Sequence, residues 1–269
     1  MRKITSFEEV CGLMTEIRNL KKGFITNFYP DPLRISLWCQ YGSLFYELQS
    51  DTLFFLREEV GFTYLYYCSS SEERLKESLI DFFDKREDRI WIVDLIGANE
   101  SGSYRQLFTD QGFSEYTSLI RMSRINTSKN ADLRTIAGIN NADSCDVQEL
   151  QLLLHTYFDP YAEQLPLEEE IIQWIEVGHL LVCRLNGKIV GFVIYDLSGK
   201  TQYLRYWFVH PDYRENGIGS NLLREFLFRG KDTRRQLFWV IQTNENAIKR
   251  YIHYGFQPEE MYDYILIKR

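Results

Sequence analysis

An apolar run, Tyr203-Leu-Arg-Tyr-Trp-Phe-Val209, passes through His210-Pro211 into Gly217-Ile218-Gly219 and then into a helical pattern of apolar residues at Leu222, Leu223, Phe226 and Leu227. A buried strand that enters a helix through glycines commits the chain to layers of sheet and helix. It also aims successive backbone N–H groups, and the positive end of the helix dipole, at one spot. Such a spot binds phosphate.

The rest of the chain supplies matching elements. Ser6, followed three residues later by Glu9 and then by apolar residues at helical spacing, predicts a first helix. Leu53–Cys68 is aromatic and β-branched on both sides of Arg57-Glu58-Glu59, so a hairpin is expected with its turn at those three residues. Ser70–Phe83 predicts a helix burying Leu75, Leu79 and Phe83, and Arg89–Ile96 an inner strand. Gly112-Phe113 is a glycine stop before another strand that reaches Met122. In the second half, helices are expected over Asp146–Tyr157 and Glu168–Val177. Strands are expected at Leu180–Leu185 and Ile189–Tyr195, joined by an Asn186-Gly187 turn. A strand at Gln236–Ile241, a short helix from Asn246 to His253 ended by Gly255, and a last strand at Tyr262–Ile267 complete the pattern.

The periodic patterns break in the small polar stretch Asn126–Asp132, which places a boundary between domains at 1–126 and 131–269. A chain of 269 residues suits two domains. The halves repeat each other, since Val60-Gly61-Phe62 matches Val190-Gly191-Phe192 and Gly112-Phe113 matches Gly255-Phe256. On that alignment the first copy is shorter by about one strand and its loop, and the missing piece is the glycine loop.

A net charge of −7 argues against a nucleic-acid partner and suits a neutral or cationic substrate. Neither a signal-peptide pattern near Met1 nor a membrane-length apolar run is present, so the expected compartment is the cytoplasm, with no membrane partner. Five scattered cysteines, Cys11, Cys39, Cys68, Cys145 and Cys183, form no Cys-x-x-Cys pair and predict neither a disulfide framework nor a zinc site. His155, His179, His210 and His253 have no metal-ligand spacing, so no metal is expected.

Taken alone, Gly217-x-Gly219 is neither a dinucleotide fingerprint, because Leu222 stands where the third glycine belongs, nor a Walker A loop, which needs Lys-Ser/Thr. Its setting is more specific. Val209, Pro211 and Arg214-x-x-Gly217-x-Gly219 follow one strand, and Asn244-x-x-Ala247-x-x-x-Tyr251-x-x-x-Gly255-Phe256 follows the next. With these two motifs the chain resembles the GNAT family of N-acetyltransferases over about residues 131–269. The first half resembles the same fold only in its element order and closing strand, as a degenerate copy. The fold class implied is α/β (α+β), with two GNAT-like domains, each a mixed, mostly antiparallel central sheet flanked by helices.

The resemblance implies acetyl-CoA as cosubstrate. Arg214, Glu215, Asn216, Gly217, Ile218, Gly219 and Ser220 form the pyrophosphate loop, with Arg214 fixing it and Glu215 a mildly unfavourable charge beside it. Trp207 is expected to polarise the thioester carbonyl through its N–H, Phe208 and Val209 to pair with the pantetheine arm, and Asn244 to bond that arm or cap the next helix. Tyr251 takes the general-acid position, since a phenol of pKa about 10 keeps its proton until a thiolate needs it. The strand positions where the family often carries a basic Glu or His hold Arg205 and Tyr203. Both are expected to share a strand face with Trp207 and to meet the acceptor, Arg205 through a carboxylate or phosphate or else paired with a neighbouring acid. Deprotonation through water to Asp159, Glu163 or Asp196 is left open.

The implied function is acetyl transfer to the primary amine of a small molecule or peptide by direct attack. A non-catalytic acyl-CoA sensor, a tRNA-dependent aminoacyl transferase and a structural protein with an ordinary glycine turn are the alternatives.

Overall fold

A computed structural model describes residues 1–84, 86, 89–98, 102–126 and 137–269. The chain forms two compact units, one of Met1–Leu119 with Glu260–Arg269 and the other of Ile120–Glu259.

In the first unit β1 (Arg2–Lys3) precedes α1 (Phe7–Asn19), whose N-terminus is capped by the Ser6 hydroxyl accepting from the Glu9 N–H at 3.1 Å. Then come β2 (Ile25–Thr26) and α2 (Pro32–Tyr41), which is capped by Asp31 and ended by Gly42 in the left-handed region. The hairpin strands β3 (Leu44–Gln49), β4 (Thr52–Glu59) and β5 (Phe62–Ser69) lead to α3 (Glu72–Asp84), β6 (Ile90–Gly97), α4 (Gly102–Thr109) and the start of β7 (Ser114–Ile125). The β4–β5 turn lies at Val60-Gly61 and not at Arg57–Glu59 as expected. Arg57 is 3% exposed because its guanidinium lies over Trp38 and pairs with Glu59 at 2.5 Å, so its charge is matched inside the strand. Leu75, Leu79, Phe82 and Phe83 of α3 pack on Phe54, Leu65 and Trp91. Each such side chain, fully buried, contributes about 1.5–3 kcal/mol.

The second unit begins within β7 and continues through β8 (Ile139–Asn141), α5 (Val147–Tyr157), α6 (Glu168–Glu176), β9 (Leu180–Leu185), β10 (Lys188–Ser198), β11 (Thr201–Val209), α7 (Ile218–Arg229), β12 (Arg235–Ile241) and α8 (Glu245–His253). The last strand, β13 (Gln257–Lys268), starts here, and its residues Tyr262–Lys268 pair antiparallel with β6 in the first unit's sheet. The order β12-β11-β10-β9-β8 is antiparallel except for the parallel pair β11–β12. The β9–β10 turn carries Asn186 and Gly187 at φ 52 and 78, as the Asn-Gly signal requires. Helices α5 and α6 cover one face of the sheet, and α7 and α8 the other.

Both units therefore run through three antiparallel strands, a helix, a parallel strand and a second helix. The parallel partners Phe62 and Ile90 are 28 positions apart and Thr201 and Arg235 are 34 apart. The six-residue difference lies in the strand-to-helix connection, which is residues 70–71 in one unit and 210–217 in the other. The first copy is therefore short by the connection alone, and it is not short by the strand that the alignment of the halves implied. The Val-Gly-Phe match is out of register: Gly61 makes a turn at φ 86, whereas Gly191 lies inside β10, where a Cβ would come within 2.9 Å of Leu222. Gly112-Phe113 and Gly255-Phe256 are true equivalents, each a left-handed glycine ending a helix before a buried Phe.

The expected boundary at 126–132 lies, apart from Asn126, outside the described residues. The compact units differ from a division into 1–126 and 131–269, because residues 120–126 fold with the second unit and 260–269 with the first.

Candidate active site

Strands β11 and β12 pair only over Thr201–Tyr203 with Arg235–Leu237. Beyond Tyr203 they run on to Val209 and Ile241 without pairing, which leaves a fork between them. At its head the chain turns through His210–Gly217 into α7. Arg214 caps a short turn by donating its N–H to Pro211 O at 3.3 Å, Glu215 stands at φ 70 and Gly217 at φ 74. A non-glycine residue at positive φ is strained, so Glu215 holds a conformation that suits glycine better. Among the described residues, none of the six N–H groups of residues 215–220 donates within the chain. They converge on the N-terminus of a 12-residue helix, where an anion is favoured.

Gly219 lets that helix lie close on β11. A Cβ there would stand 3.2 Å from Trp207 Cζ2 and 3.3 Å from Val209 Cγ2. The indole Nε1 of Trp207 is buried and has no hydrogen-bond partner. Free amides at a helix N-terminus, beside a glycine that lets the helix lie close on the strand, make an arrangement that can bind an anion.

Tyr251 of α8 borders the fork from both sides. Its ring lies 4.2 Å from Phe238 on β12 and 5.4 Å from Trp207 on β11. It is 7% exposed, and its hydroxyl makes no hydrogen bond among the described residues. Burial, and then the charge of Glu163, raise its pKa above the usual phenol value, with Arg250 opposing. Asn244 caps α8, its Oδ1 accepting from the Ala247 N–H at 3.2 Å.

The expected alternation along β11 fails at one residue. Ile194 faces Tyr206 and Tyr195 faces Leu204, so Arg205 has no opposite number and forms a bulge. The bulge reverses the faces. Leu204, Trp207 and Val209 join the α7 side, while Tyr206 and Phe208 join the α5–α6 side. Arg205 accordingly shares a face with Tyr203, over whose ring it lies at 4.3 Å, and not with Trp207. Its Nε donates to Asp196 at 2.5 Å, and Asp196 also accepts from Trp174 Nε1 at 2.6 Å. Phe208 is buried against Phe192, Tyr157 and Phe158, leaving its backbone to border the fork.

The connection between α5 and α6, residues 158–167, lies over the α5–α6 side. Phe158 and Leu165 pack into that core, and Tyr206 Oη donates to Gln164 O at 2.8 Å. Nothing in the sequence separates Tyr206 from the aromatics around it, so its anchoring role was not legible. Of the three candidate acids, Asp196 is held by Arg205 and Trp174, and Asp159 accepts from the Tyr161 N–H at 2.9 Å. Glu163 is half-buried, and burial followed by the like charge of Asp159 pushes its pKa up to about 7. No group of three or more metal-ligating side chains occurs among the described residues. No helix there is long and apolar enough to cross a membrane.

Comparison with known proteins bears on the second unit most directly. Residues 147–256 match the model of the acetyltransferase (GNAT) family. Over 140 residues the chain is 29% identical to an uncharacterized N-acetyltransferase of Methanocaldococcus jannaschii, a match covering 47% of this chain and 62% of that protein. Among solved structures, a GCN5-related N-acetyltransferase from Sphaerobacter thermophilus superposes with a TM-score of 0.60 at 14% identity, over 81% of this chain and 76% of that one. A tandem GNAT protein from the clavulanic acid biosynthesis pathway superposes with a TM-score of 0.61 at 10% identity, over 99% and 97%. At such identities the likeness is one of fold, and it extends to both units.

Proposed function

We propose, on the premise that the second unit is a domain of the acetyltransferase (GNAT) family, that it moves acetyl from acetyl-CoA to the primary amine of a small molecule or peptide by direct attack. The observation that carries this reading is the set of six undonated amides at residues 215–220, beside a strand fork bordered by Tyr251. Acetyl-CoA supplies the acyl group as a thioester. The amides of 215–220 would hold its pyrophosphate, with Arg214 fixing the loop. The N–H of Trp207 would bond the acyl oxygen, where a preorganised donor acts most strongly. The backbone of Phe208 and Val209 would take the pantetheine arm as an added strand. Asn244, whose Oδ1 is committed to the α8 cap, would turn its amide N–H to the same arm.

Tyr251 is the general acid in this reading. Its raised pKa keeps the proton in place at neutral pH, and its unpartnered hydroxyl is free to deliver it to a thiolate. Tyr203 and Arg205, on the opposite face, border the acceptor side, with Arg205 meeting an acceptor through the N–H groups that Asp196 leaves available. The test is calorimetric titration with acetyl-CoA, followed by thiol release with a panel of primary amines. Tyr251→Phe is expected to bind acetyl-CoA as the wild type does and to lose about 100-fold in kcat. Failure to bind acetyl-CoA would sink the reading, and binding with no turnover for any amine would favour a sensor.

A further inference from the structure

Besides the Trp207 indole, two side-chain polar groups near the fork have no hydrogen-bond partner among the described residues. The Tyr251 hydroxyl is one. The other is the carboxylate of Glu163, which has neither an ion pair nor a hydrogen bond among the described residues. A half-buried carboxylate in that state is costly, and folds ordinarily supply it with a cation or N–H donors. Here the fold supplies the opposite. Asp159, four residues earlier on the same connection, adds a like charge, and across the fork Tyr251 of α8 offers only a phenol. Arg250 is the one cation in this set, and it acts on Tyr251.

Glu163 is nonetheless held in place. Its own N–H donates to Asp159 O at 2.8 Å, Phe158 and Leu165 anchor both ends of the connection, and the neighbouring Gln164 carbonyl is pinned by Tyr206, the residue before Trp207. The two groups come from opposite faces of the sheet: Tyr251 packs with the α7 side, whereas the connection carrying Glu163 packs with the α5–α6 side. Both reach the same stretch of β11: the Gln164 carbonyl beside Glu163 is bonded to Tyr206 at 2.8 Å, and the ring of the next residue, Trp207, lies 5.4 Å from that of Tyr251, on which the charge of Glu163 acts.

We propose that Glu163 is the base that takes the proton from an acceptor arriving as an ammonium ion, working from the α5–α6 side of the fork while Tyr251 serves the departing thiolate from the other. This rests on the acyl-transfer reading above. The acceptor ammonium gives one proton to the Glu163 carboxylate, which passes it to solvent. The freed amine nitrogen bonds to the acyl carbon, the carbon–sulfur bond breaks, and the sulfur takes the phenolic proton of Tyr251. The second proton lost from nitrogen restores the phenol. The products are an amide and a free thiol, with one proton released. The paired acids Asp159 and Glu163 also define the substrate class, a cationic primary amine.

The test has two arms. In the first, the full-length protein labelled with 13C at the glutamate carboxyl is titrated by NMR, and Glu163→Gln identifies the resonance. A midpoint near 7 that falls in Asp159→Asn is expected. A midpoint near 4.5 would overturn the proposal. In the second, thiol release from acetyl-CoA is followed with benzylamine, an ammonium ion at neutral pH, and with 4-methoxyaniline, a free amine at neutral pH. Glu163→Gln is expected to lose about 100-fold or more in kcat with benzylamine and far less with 4-methoxyaniline, with the KM for acetyl-CoA unchanged. Equal losses with both amines, or no loss, would overturn it. Acetyl-CoA binding measured on the same variant separates this failure from failure of the acyl-transfer reading, because that reading assigns acetyl-CoA binding to the amides of 215–220 and not to Glu163.

Discussion

Glu163 and Tyr251 are perturbed in the same direction, and for each the first cause is burial of the charged form. For Glu163 this has a consequence for stability that needs no substrate. Its pKa is about 7 in the folded chain against an ordinary 4.5. Below 4.5 the carboxyl is protonated in folded and unfolded chains alike and contributes no penalty. As pH rises from 4.5 through 7 the unfolded chain releases the proton while the folded chain retains it, so stability falls; above 7 the whole penalty is present. Glu163→Gln removes the charge and keeps the shape. It should be more stable than the wild type at pH 8, by on the order of 2 kcal/mol, and equal to it at pH 4.5. Urea denaturation at the two pH values checks this, and a variant less stable at pH 8 would mean that the carboxylate has a stabilising partner. A residue that lowers stability at neutral pH without a structural partner is what a base held for chemistry looks like.

At the scale of elements, the fork is common to both units and differs in what fills it. In the first unit β5 and β6 pair only over Phe62–Tyr64 with Ile90–Ile92 and then separate, as β11 and β12 do. There the gap is taken by the chain itself. Residues Ile25 and Thr26 pair with Ser69 and Cys68, and Asn27 bridges the two strands, donating to Leu65 O at 3.2 Å and Asp94 O at 3.1 Å and accepting from the Tyr67 N–H at 2.7 Å. With a two-residue connection after β5 and Asn27 between the strands, the fork of this unit is filled by its own chain where that of the second unit is not. Acetyl-CoA should bind with a stoichiometry of one per chain by calorimetry, and two sites would refute the plug. Asn27→Ala strands the Tyr67 N–H and two carbonyls, and should destabilise the chain by about 2–4 kcal/mol in denaturant titrations. The sequence made the loop visible because glycines and a following helix have their own chemistry. It hid the plug, since Ile25-Thr-Asn27 carries no periodicity, and it hid the Arg205 bulge, since one inserted strand residue has no compositional mark. Helix α2 has a weak periodic signature for a different reason: its buried Ile35, Leu37 and Trp38 do not fall on a clean 3.6-residue stripe, although Asp31-Pro32 and Gly42 are ordinary start and stop signals.

At the scale of the whole molecule, the two halves of the sequence are not the two folded units. The chain crosses from one to the other within β7, between Leu119 and Ile120, and again within β13, between Glu259 and Glu260. The second unit depends on what the first crossing brings. Met122 is fully buried in its core, and Asn126 Nδ2 donates to Gly230 O and Thr233 O, each at 2.9 Å. Glu259 accepts from Arg121 Nε and Ser123 Oγ, both at 2.5 Å, and from Arg235. Burial alone would pull the Glu259 carboxyl up, yet these donors hold it below the usual carboxylate range, so their loss leaves a partly buried charge without its partners. A fragment of residues 131–269, cut where the composition changes, lacks Arg121, Met122, Ser123 and Asn126. It also ends in Tyr264-Ile-Leu-Ile267, no residue of which is more than 6% exposed in the intact chain, with its β6 partner strand absent. An unpaired apolar strand is an aggregation site. Residues 120–259 keep the Glu259 network and omit that strand. This fragment should elute as a monomer and unfold cooperatively, while 131–269 should aggregate or melt at least about 10 °C lower, since several kcal/mol of core and ion-pair stabilisation are missing. Gel filtration and thermal melts followed by circular dichroism decide between them. A 131–269 fragment as monomeric and as stable as 120–259 would show that the second unit closes without the residues before 127.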